Sequence, residues 1–588
     1  MKARLYKLFT IVGAITTGFF ALVITVSLLR CAFADRVAEH TVVELRLDRP
    51  ISEGQAGGLA ALLGGGGMNV LEVIETLEKA ATDDHVDGVI VYVDGGGFGM
   101  ARVQEVRDAI TRFREKSGKW VVAFAETFGE LGPGNQGYYL ATACDEIWLQ
   151  PSGGLGLTGL TSEAMFVRGA LDLVGVQPRG DHRKEYKNAL NMFTERRFTD
   201  AHREAAQTLI DDMFEQMVAD IAARRGLAPK ALRALIDEGP FLAPRALELG
   251  LVDGLAYRDE VVAKVKARAG ADATLLYAGP YRERAGRPWE RGDKAVALIY
   301  GVGQVSRGPS SFDALSGETS MGSDTVTAAF RSAIAADDVA AIVFRVDSPG
   351  GSAVASDAIW REVVRAKEGG KPVVISMGNL AASGGYYVSA GATKIVAHPA
   401  TITGSIGVLA GKAYTRDAWN KVGVTWDMVS TSDNAGMWSS VQDYDEAGWA
   451  KLGSWLDAVY TDFTGKVAAG RGLSAEQVEA VAKGRVWTGQ RALEHGLVDE
   501  LGGLYRAIEI ARDEAGIGEQ FELRVYPEPK GTLASILPSD PESSDQAVAA
   551  ELSTELERYR PVAARLNMLV GADPDGMVLR MAPIEIGH

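Results

Sequence analysis

Ala381-Ala382-Ser383-Gly384-Gly385-Tyr386-Tyr387 follows the strand-like run Pro372-Val373-Val374-Ile375-Ser376. A small residue before the serine and two glycines after it allow a sharp strand-to-helix turn and close approach of another group. A degenerate copy lies 248 positions earlier, Gly134-Asn135-Gln136-Gly137-Tyr138-Tyr139. Both copies keep Gly-Tyr-Tyr, but only the later one has the serine. A duplicated scaffold with a nucleophile in one half suggests a reaction centre built from unequal halves.

Outward from this turn, the two halves read alike. Val89-Ile90-Val91-Tyr92-Val93-Asp94 ends in Gly95-Gly96-Gly97, and Ala341-Ile342-Val343-Phe344-Arg345-Val346-Asp347 ends in Ser348-Pro349-Gly350-Gly351-Ser352. Each run has a buried-strand pattern. Helical patterns follow at 103–113 and 356–366, then strands at 120–125 or 372–376, then strands at 146–149 or 394–397. Strands alternating with helices predict an α/β fold of parallel βαβ units. Positions 134–159 and 382–407 share seven residues without a gap, and both halves carry Val-Gly-Val and Gly-Leu-Val-Asp. This is duplication of a whole domain rather than a short solenoid period. Long helices are predicted near 201–224 and 445–469. The expected division is 1–36 as N-terminus and anchor, 37–280 as first repeat, 281–293 as linker, 294–526 as second repeat and 527–588 as tail. Gly64 to Gly67 reads as a flexible loop, and the tail as a Pro/Ser/Asp-rich stretch before an amphipathic helix near 546–568.

At 588 residues the chain needs more than one core. A net charge of −16 without a basic block argues against nucleic acid as the main partner. The two cysteines, Cys31 at the end of an apolar run and Cys144 in a predicted helix, suggest neither a disulfide framework nor a metal site. The seven histidines form no His-x-x-x-His pair, which speaks against a zinc hydrolase. Leu8 to Leu29 carries no charge, and as a helix it would span ~33 Å, enough for a bilayer core. Lys2, Arg4 and Lys7 precede it, so the bulk of the chain is expected on the exported side. A signal peptide cleaved after Ala32-Phe33-Ala34 is the alternative, although the apolar run is longer than a usual signal core.

Three motifs could carry chemistry. Ser383 is a candidate nucleophile, given a base within reach and donors for an oxyanion; it could equally be a plain helix N-cap. Ser348-Pro349-Gly350-Gly351-Ser352 could turn its amides towards a ligand, or be a simple tight turn. Gly154-x-Gly156-x-x-Gly159 matches a dinucleotide fingerprint by spacing alone and reads as a repeated turn.

Ser-Pro-Gly-Gly-Ser, Ala-Ala-Ser-Gly-Gly-Tyr and Thr403-Gly404-Ser405-Ile406-Gly407, in this order and spacing, resemble the signal peptide peptidase A (protease IV) family in its long, duplicated, membrane-anchored bacterial form. The resemblance covers nearly the whole chain. It implies two tandem repeats of the Clp protease/crotonase superfamily fold, and a serine–lysine dyad with the serine in the later half and the lysine in the earlier. By motif, Ser383 is then the nucleophile. Tyr186-Lys187-Asn188-Ala189-Leu190-Asn191-Met192-Phe193 matches the family's Tyr-Lys-Ser-Ala-x-Glu-Pro-Phe in part and makes Lys187 the general base. Ser405 matches the serine that orients that lysine. The amides of Gly351 and Gly384 are the candidates for the oxyanion hole, and His182 is a rival base. The ungapped offset sets Ala435 opposite Lys187 and Leu157 opposite Ser405, so each half lacks what the other provides.

The resemblance further implies a serine endopeptidase that degrades released, apolar signal peptides at the bacterial inner membrane, with a single-pass anchor and the catalytic bulk in the periplasm. It also implies a homotetramer. The chemistry calls for no cofactor and no metal. A crotonase-like acyl-CoA enzyme and a catalytically inactive scaffold are the rival readings.

Overall fold

Two parallel sheets, one per half, set the frame of the molecule. The computed structural model describes residues 36–49, 51–54, 67–270, 272–311, 319–527, 578–580 and 585–587. In the first sheet the strand order is Thr274–Tyr277, Thr41–Leu47, Val86–Val93, Trp120–Ala125, Glu146–Leu149 and Gly254–Leu255, every neighbour parallel. The second runs Val486–Thr488, Ile402–Gly404, Val373–Ala382, Val339–Ser348, Ala295–Val302 and Glu522–Tyr526. Lys394–Ala397 also pairs with Val373–Ala382 and leads on to Glu500–Leu501. Val486–Thr488 alone is antiparallel to its neighbour here. The architecture is thus mixed α/β with parallel sheets, as the alternating pattern predicts.

The strands are near-continuous apolar runs because helices cover the sheets. Six consecutive residues, Ala341 to Val346, are buried in the strand Val339–Ser348, and the one charge among them, Arg345, is fully buried too. The helix Val70–Thr82 starts with a reciprocal capping box between Asn69 and Glu72, which satisfies two otherwise orphaned amides. The long helices Asp200–Arg225 and Glu446–Arg471 are capped by Thr199 and Asp445 and stopped by Gly226 and Gly472 in left-handed conformation.

The residues shared by both halves serve the scaffold. Tyr138 Oη donates to Leu251 O at 2.7 Å, and Tyr386 Oη donates to Leu497 O at 2.9 Å. Asp253 accepts from Ile147 N at 2.8 Å, and Asp499 from Ile395 N at 2.7 Å. Gly-Tyr-Tyr and Gly-Leu-Val-Asp are therefore two ends of one internal brace, used twice.

A third sheet joins the halves. Its order is Ser320–Gly322, Gln304–Ser306, Gly350–Ser352, Val578–Arg580, Val408–Tyr414 and Gln177–Arg183. The last two pair antiparallel over seven residues, from Val408 opposite Arg183 to Tyr414 opposite Gln177. This ribbon carries first-half sequence into the second half.

Some expectations need correction or fall elsewhere. Cys144 is not helical: Asn135–Ala141 ends before it, and Cys144 lies buried in the following turn, where burial pushes its thiol up to about 12. As the reading of a repeated turn expects, Gly154-x-Gly156-x-x-Gly159 opens no helix. Gly154–Leu155 is a strand paired with Phe241–Leu242, and the chain turns on into the strand Thr161–Glu163, so a phosphate-binding helix N-terminus is missing there. The start of the expected linker is helical, within Ala278–Ala285. The apolar run 8–29, the Ala32-Phe33-Ala34 site, Cys31, Gly64 to Gly66 and the helix expected near 546–568 lie outside the described residues. Among the described residues no helix is long and apolar enough to cross a membrane.

Candidate active site

Ser383 stands where the strand Val373–Ala382 gives way to the helix Gly384–Ser389. Its φ of 56° and ψ of −114° are unusual for a residue with a Cβ. Its amide donates to Gly404 O at 2.8 Å and its carbonyl accepts from Tyr387 N at 2.8 Å, so the strained turn is held from both sides. Ser383 occupies the N-cap position, yet its side chain makes no capping hydrogen bond. The hydroxyl is turned instead to Lys187, whose Nζ lies 2.6 Å from Ser383 Oγ.

Lys187 arrives from the first half, four residues beyond the strand Gln177–Arg183 that pairs with Val408–Tyr414. It is 1% exposed. Its Nζ also lies 2.9 Å from Ser405 O and 3.1 Å from Ser405 Oγ. Burial, unopposed by a neighbouring carboxylate, pushes the Lys187 amine well below the ordinary lysine range. A neutral amine has two N–H donors and one lone pair. Two donors satisfy Ser405 O and Oγ, which leaves the lone pair for the Ser383 hydroxyl.

Ser405 holds its place through a second positive φ, 50°, and through its amide, which donates to Arg485 O at 2.6 Å. Among the described residues, two of the five non-glycine residues with positive φ are thus Ser383 and Ser405, and strain of this kind collects at functional sites. The lysine's backbone rests on Gly484, whose own amide donates to Ile406 O at 2.7 Å. At φ 81° a Cβ on Gly484 would come within 2.5 Å of Lys187 N. Gly484→Ala is expected to cost about 1–2 kcal/mol for the left-handed backbone alone. By moving the lysine it should also lower kcat roughly 10²-fold, since a 1 Å misplacement is worth about that much. Steady-state peptide hydrolysis with unchanged KM is the check.

Gly351 and Gly384 come together as a pair. A Cβ on Gly384 would lie 3.0 Å from Gly351 N and 3.0 Å from Gly350 Cα, so the Ser383 turn packs directly on the strand Gly350–Ser352. Ser348 Oγ accepts from Gly350 N at 3.1 Å and fixes the loop between them. His182 is not brought into the cluster: its Nδ1 lies 2.8 Å from Lys184 O, on the strand opposite Leu409.

The first-half copy is closed to chemistry in two ways. Asn135 replaces the serine, and its side chain is tied to Gly159 O, Thr158 N and Gly159 N at 2.9–3.1 Å. Gln136, opposite Gly384, accepts from the amides of Gly97, Phe98 and Gly99 at 3.1–3.3 Å. The glycine loop that would face a ligand is thereby filled by the chain's own side chain. Leu157 is fully buried, and Ala435 is exposed in a turn, so neither supplies a base.

A buried ionic latch behind the site escaped the sequence reading. Arg345 pairs with Glu53 at 2.8 Å and Glu105 at 2.6 Å, and Arg102 pairs with Glu53 at 2.8 Å and Asp347 at 2.9 Å. Asn379, on the strand that ends at Ser383, donates to Phe98 O at 2.8 Å and accepts from Arg102 N at 2.9 Å. The two halves are thus clamped just beneath both loops of the site. The one legible signal was a charge, Arg345, inside an apolar strand.

Comparison with known proteins agrees with this geometry. The chain matches the model of peptidase family S49 over residues 114–272 and 365–518. It is 31% identical over 482 residues to the chloroplastic serine protease SPPA of Arabidopsis thaliana, covering 80% of this chain and 70% of that protein. It is 30% identical over 515 residues to Protease 4 of Salmonella typhi, covering 84% and 80%. A shorter match, 34% identical over 176 residues and covering 30% of this chain and 51% of the relative, is to an SppA-type signal peptide peptidase of Enterococcus faecium. The chain, with its duplicated scaffold and a single serine-bearing turn, therefore belongs to peptidase family S49 and is a serine peptidase.

Proposed function

We propose that the protein cleaves apolar, extended peptides, released signal peptides foremost, with Ser383 as nucleophile and Lys187 as general base. The observation that carries this is the 2.6 Å approach of Lys187 Nζ to Ser383 Oγ in a site where burial alone sets the state of the amine. A free lysine titrates near ~10.4 and is no base at neutral pH. Buried and neutral, Lys187 takes the proton of Ser383 as Oγ attacks the scissile carbonyl carbon. The Gly351 and Gly384 amides receive the developing oxyanion. The protonated amine then passes its proton to the leaving nitrogen, and water, deprotonated by the same lysine, hydrolyses the acyl-enzyme.

The finer parts of this reading rest on the resemblance and on composition. Residues 37–280 supply the base and residues 294–526 the nucleophile, joined across 281–293. The run 8–29 anchors the chain in a bacterial inner membrane with the catalytic bulk in the periplasm. The homotetramer rests on the resemblance alone; exposed apolar side chains on Arg168–Val174 and beside Arg416–Lys421, among them Leu173, Val422 and Trp426, support self-association without setting its number.

The decisive assay presents an apolar synthetic signal peptide and an acyl-CoA to the wild type and to Ser383→Ala. Peptide cleavage lost in the variant is expected. Thioester cleavage without peptide cleavage would assign the site to acyl-CoA chemistry, and an inert wild type would make the chain a scaffold. A pH profile tests the base: only the neutral amine works, so kcat/KM falls as pH drops through the lysine's lowered pKa. The plateau should be reached well below pH ~10.4. A profile still climbing at that pH would exclude Lys187 as base.

A further inference from the structure

Lys483-Gly484-Arg485 threads between the two loops that carry Lys187 and Ser405. On one side Lys483 O accepts from Tyr186 N at 3.1 Å and from Lys184 N at 3.4 Å. On the other, Gly484 N donates to Ile406 O at 2.7 Å and Arg485 O accepts from Ser405 N at 2.6 Å. The strand Val486–Thr488 then pairs with Ile402–Gly404, and Gly404 O is the acceptor that holds the Ser383 amide. Lys483 has a positive φ of 59°, so this strap adds a third strained residue to Ser383 and Ser405.

The side chain of Arg485 closes over the same place. Its guanidinium carbon lies 4.9 Å from the centroid of the Tyr186 ring and 4.4 Å from that of Trp487, inside cation–π range. Its Nη2 donates to Glu204 Oε1 at 2.6 Å, on the helix Asp200–Arg225. Glu204 is half-exposed, and an ion pair to such a group contributes little to stability. The guanidinium Nε is buried and meets no acceptor among the described residues, which is a cost to the fold. A cation kept at a cost and paired so weakly is not explained by stability. What it does cover is the ring of Tyr186, the residue next to Lys187. Lys184 and Glu185, just before it, are exposed.

We propose that Arg485 is a positioning residue for the reaction: stacked on Tyr186, it seats the loop that ends in Lys187 against Ser405 and keeps water from the amine. This rests on the peptidase reading of the site. The planar face of the guanidinium matters more than its charge. Lysine would keep the cation and the pair to Glu204, but it has no plane to lay on the ring.

Amine labelling tests this without activity. In a Ser383→Ala background the full chain is treated with acetic anhydride and with iodoacetamide. Peptide mass spectrometry reads acetylation of Lys187 beside alkylation of the buried Cys144 thiol. Arg485→Met and Tyr186→Leu should each raise Lys187 acetylation about tenfold or more while Cys144 stays protected, because the loop opens locally and the fold does not. With Ser383 intact, each should lose about 10²-fold in kcat at unchanged KM, the loss expected for a displacement of ~1 Å. The double variant should be no worse than either, since the two residues act as one unit. Tyr186→Phe keeps the ring and should recover kcat to within about threefold of wild type, whereas Arg485→Lys should stay within about threefold of Arg485→Met. Lys187 acetylation that is unchanged, or that rises only together with Cys144 alkylation, overturns the inference, and so does full kcat in Arg485→Lys. Acetylation that changes as expected while the wild type cleaves no peptide leaves the seating of Lys187 by Arg485 standing and sinks the peptidase reading instead.

Discussion

Lys187→Met is expected to abolish most activity, lowering kcat/KM about 10²–10⁴-fold through loss of the proposed general base, while raising the melting temperature at neutral pH. The two effects share one cause. Lys187 is buried with Ser383 and Ser405 at its amine, and its pKa in the fold lies well below the ordinary value. Between that lowered pKa and ~10.4 the unfolded chain holds a proton that the folded chain does not, so stability rises with pH across this window. Methionine is close to lysine in length, fills the site and removes the penalty. The thermal gain should therefore be largest near and below neutral pH and shrink as pH approaches ~10.4. Ser383→Ala should be as inactive without the gain, since a hydroxyl carries no such penalty. Thermal denaturation at several pH values, beside peptide hydrolysis, reads both. A Lys187→Met protein less stable than wild type at pH 7 would mean that the amine is charged in the fold.

The parts of this site differ in how openly the sequence displays them, and the difference is physical. Ser383 and Ser405 sit in short runs of small residues because positive φ and close approach are local demands that the chain must meet on the spot. The alternation of strand and helix is likewise local. Lys187 stands 196 positions from Ser383, in a charged stretch, and its own neighbours read as surface. What buries it is distant: the ribbon of Gln177–Arg183 on Val408–Tyr414, and Gly484 beneath its backbone. Only the family resemblance pointed to it. Glu53, Arg102 and Glu105 are ordinary helix and loop charges by pattern, because each has a buried partner, Arg345 or Asp347, that comes from the other half. The strand Val578–Arg580 is three residues long, too short to carry a period.

The silent first half follows from the same accounting. Losing a serine leaves a glycine loop whose amides still need partners when buried. Gln136 supplies one oxygen to Gly97, Phe98 and Gly99 together, and Asn135 ties off the turn around Gly159. Restoring Asn135→Ser alone would thus not restore a site, because the loop stays occupied and, among the described residues, no lysine bonds to Asn135.

Arg345→Met should be the most destabilising single change in the described core, by about 3–5 kcal/mol, because it strips buried carboxylates of their partner. Arg345 is fully buried, and Glu53 and Glu105 are nearly so. Burial alone would push the Glu53 carboxyl up; the guanidiniums of Arg345 and Arg102 override it and hold the carboxyl down. A carboxyl with a lowered pKa contributes stability above its unfolded value near ~4.3, and that stability is lost as pH falls through the folded value. In Arg345→Met the larger part of that lowering goes, and protonation of the stranded Glu53 carboxyl relieves the variant as the medium is acidified. The stability gap between wild type and variant should accordingly narrow from pH 7 to pH 4–5, and Glu105→Gln should rescue part of it in the double variant. Chemical denaturation of all three variants against wild type measures this cycle. The effect reaches the chemistry as well. Arg345 lies three residues before Ser348, whose hydroxyl fixes the Gly350 amide, and the latch ties Asn379 on the serine-bearing strand to the first half that delivers Lys187. Activity should therefore fall in Arg345→Met even at temperatures where the protein stays folded, through kcat rather than KM. A gap that stays constant with pH would mean that the latch holds no ionised carboxylate, and full kcat in the folded variant would separate the latch from the alignment of the two halves.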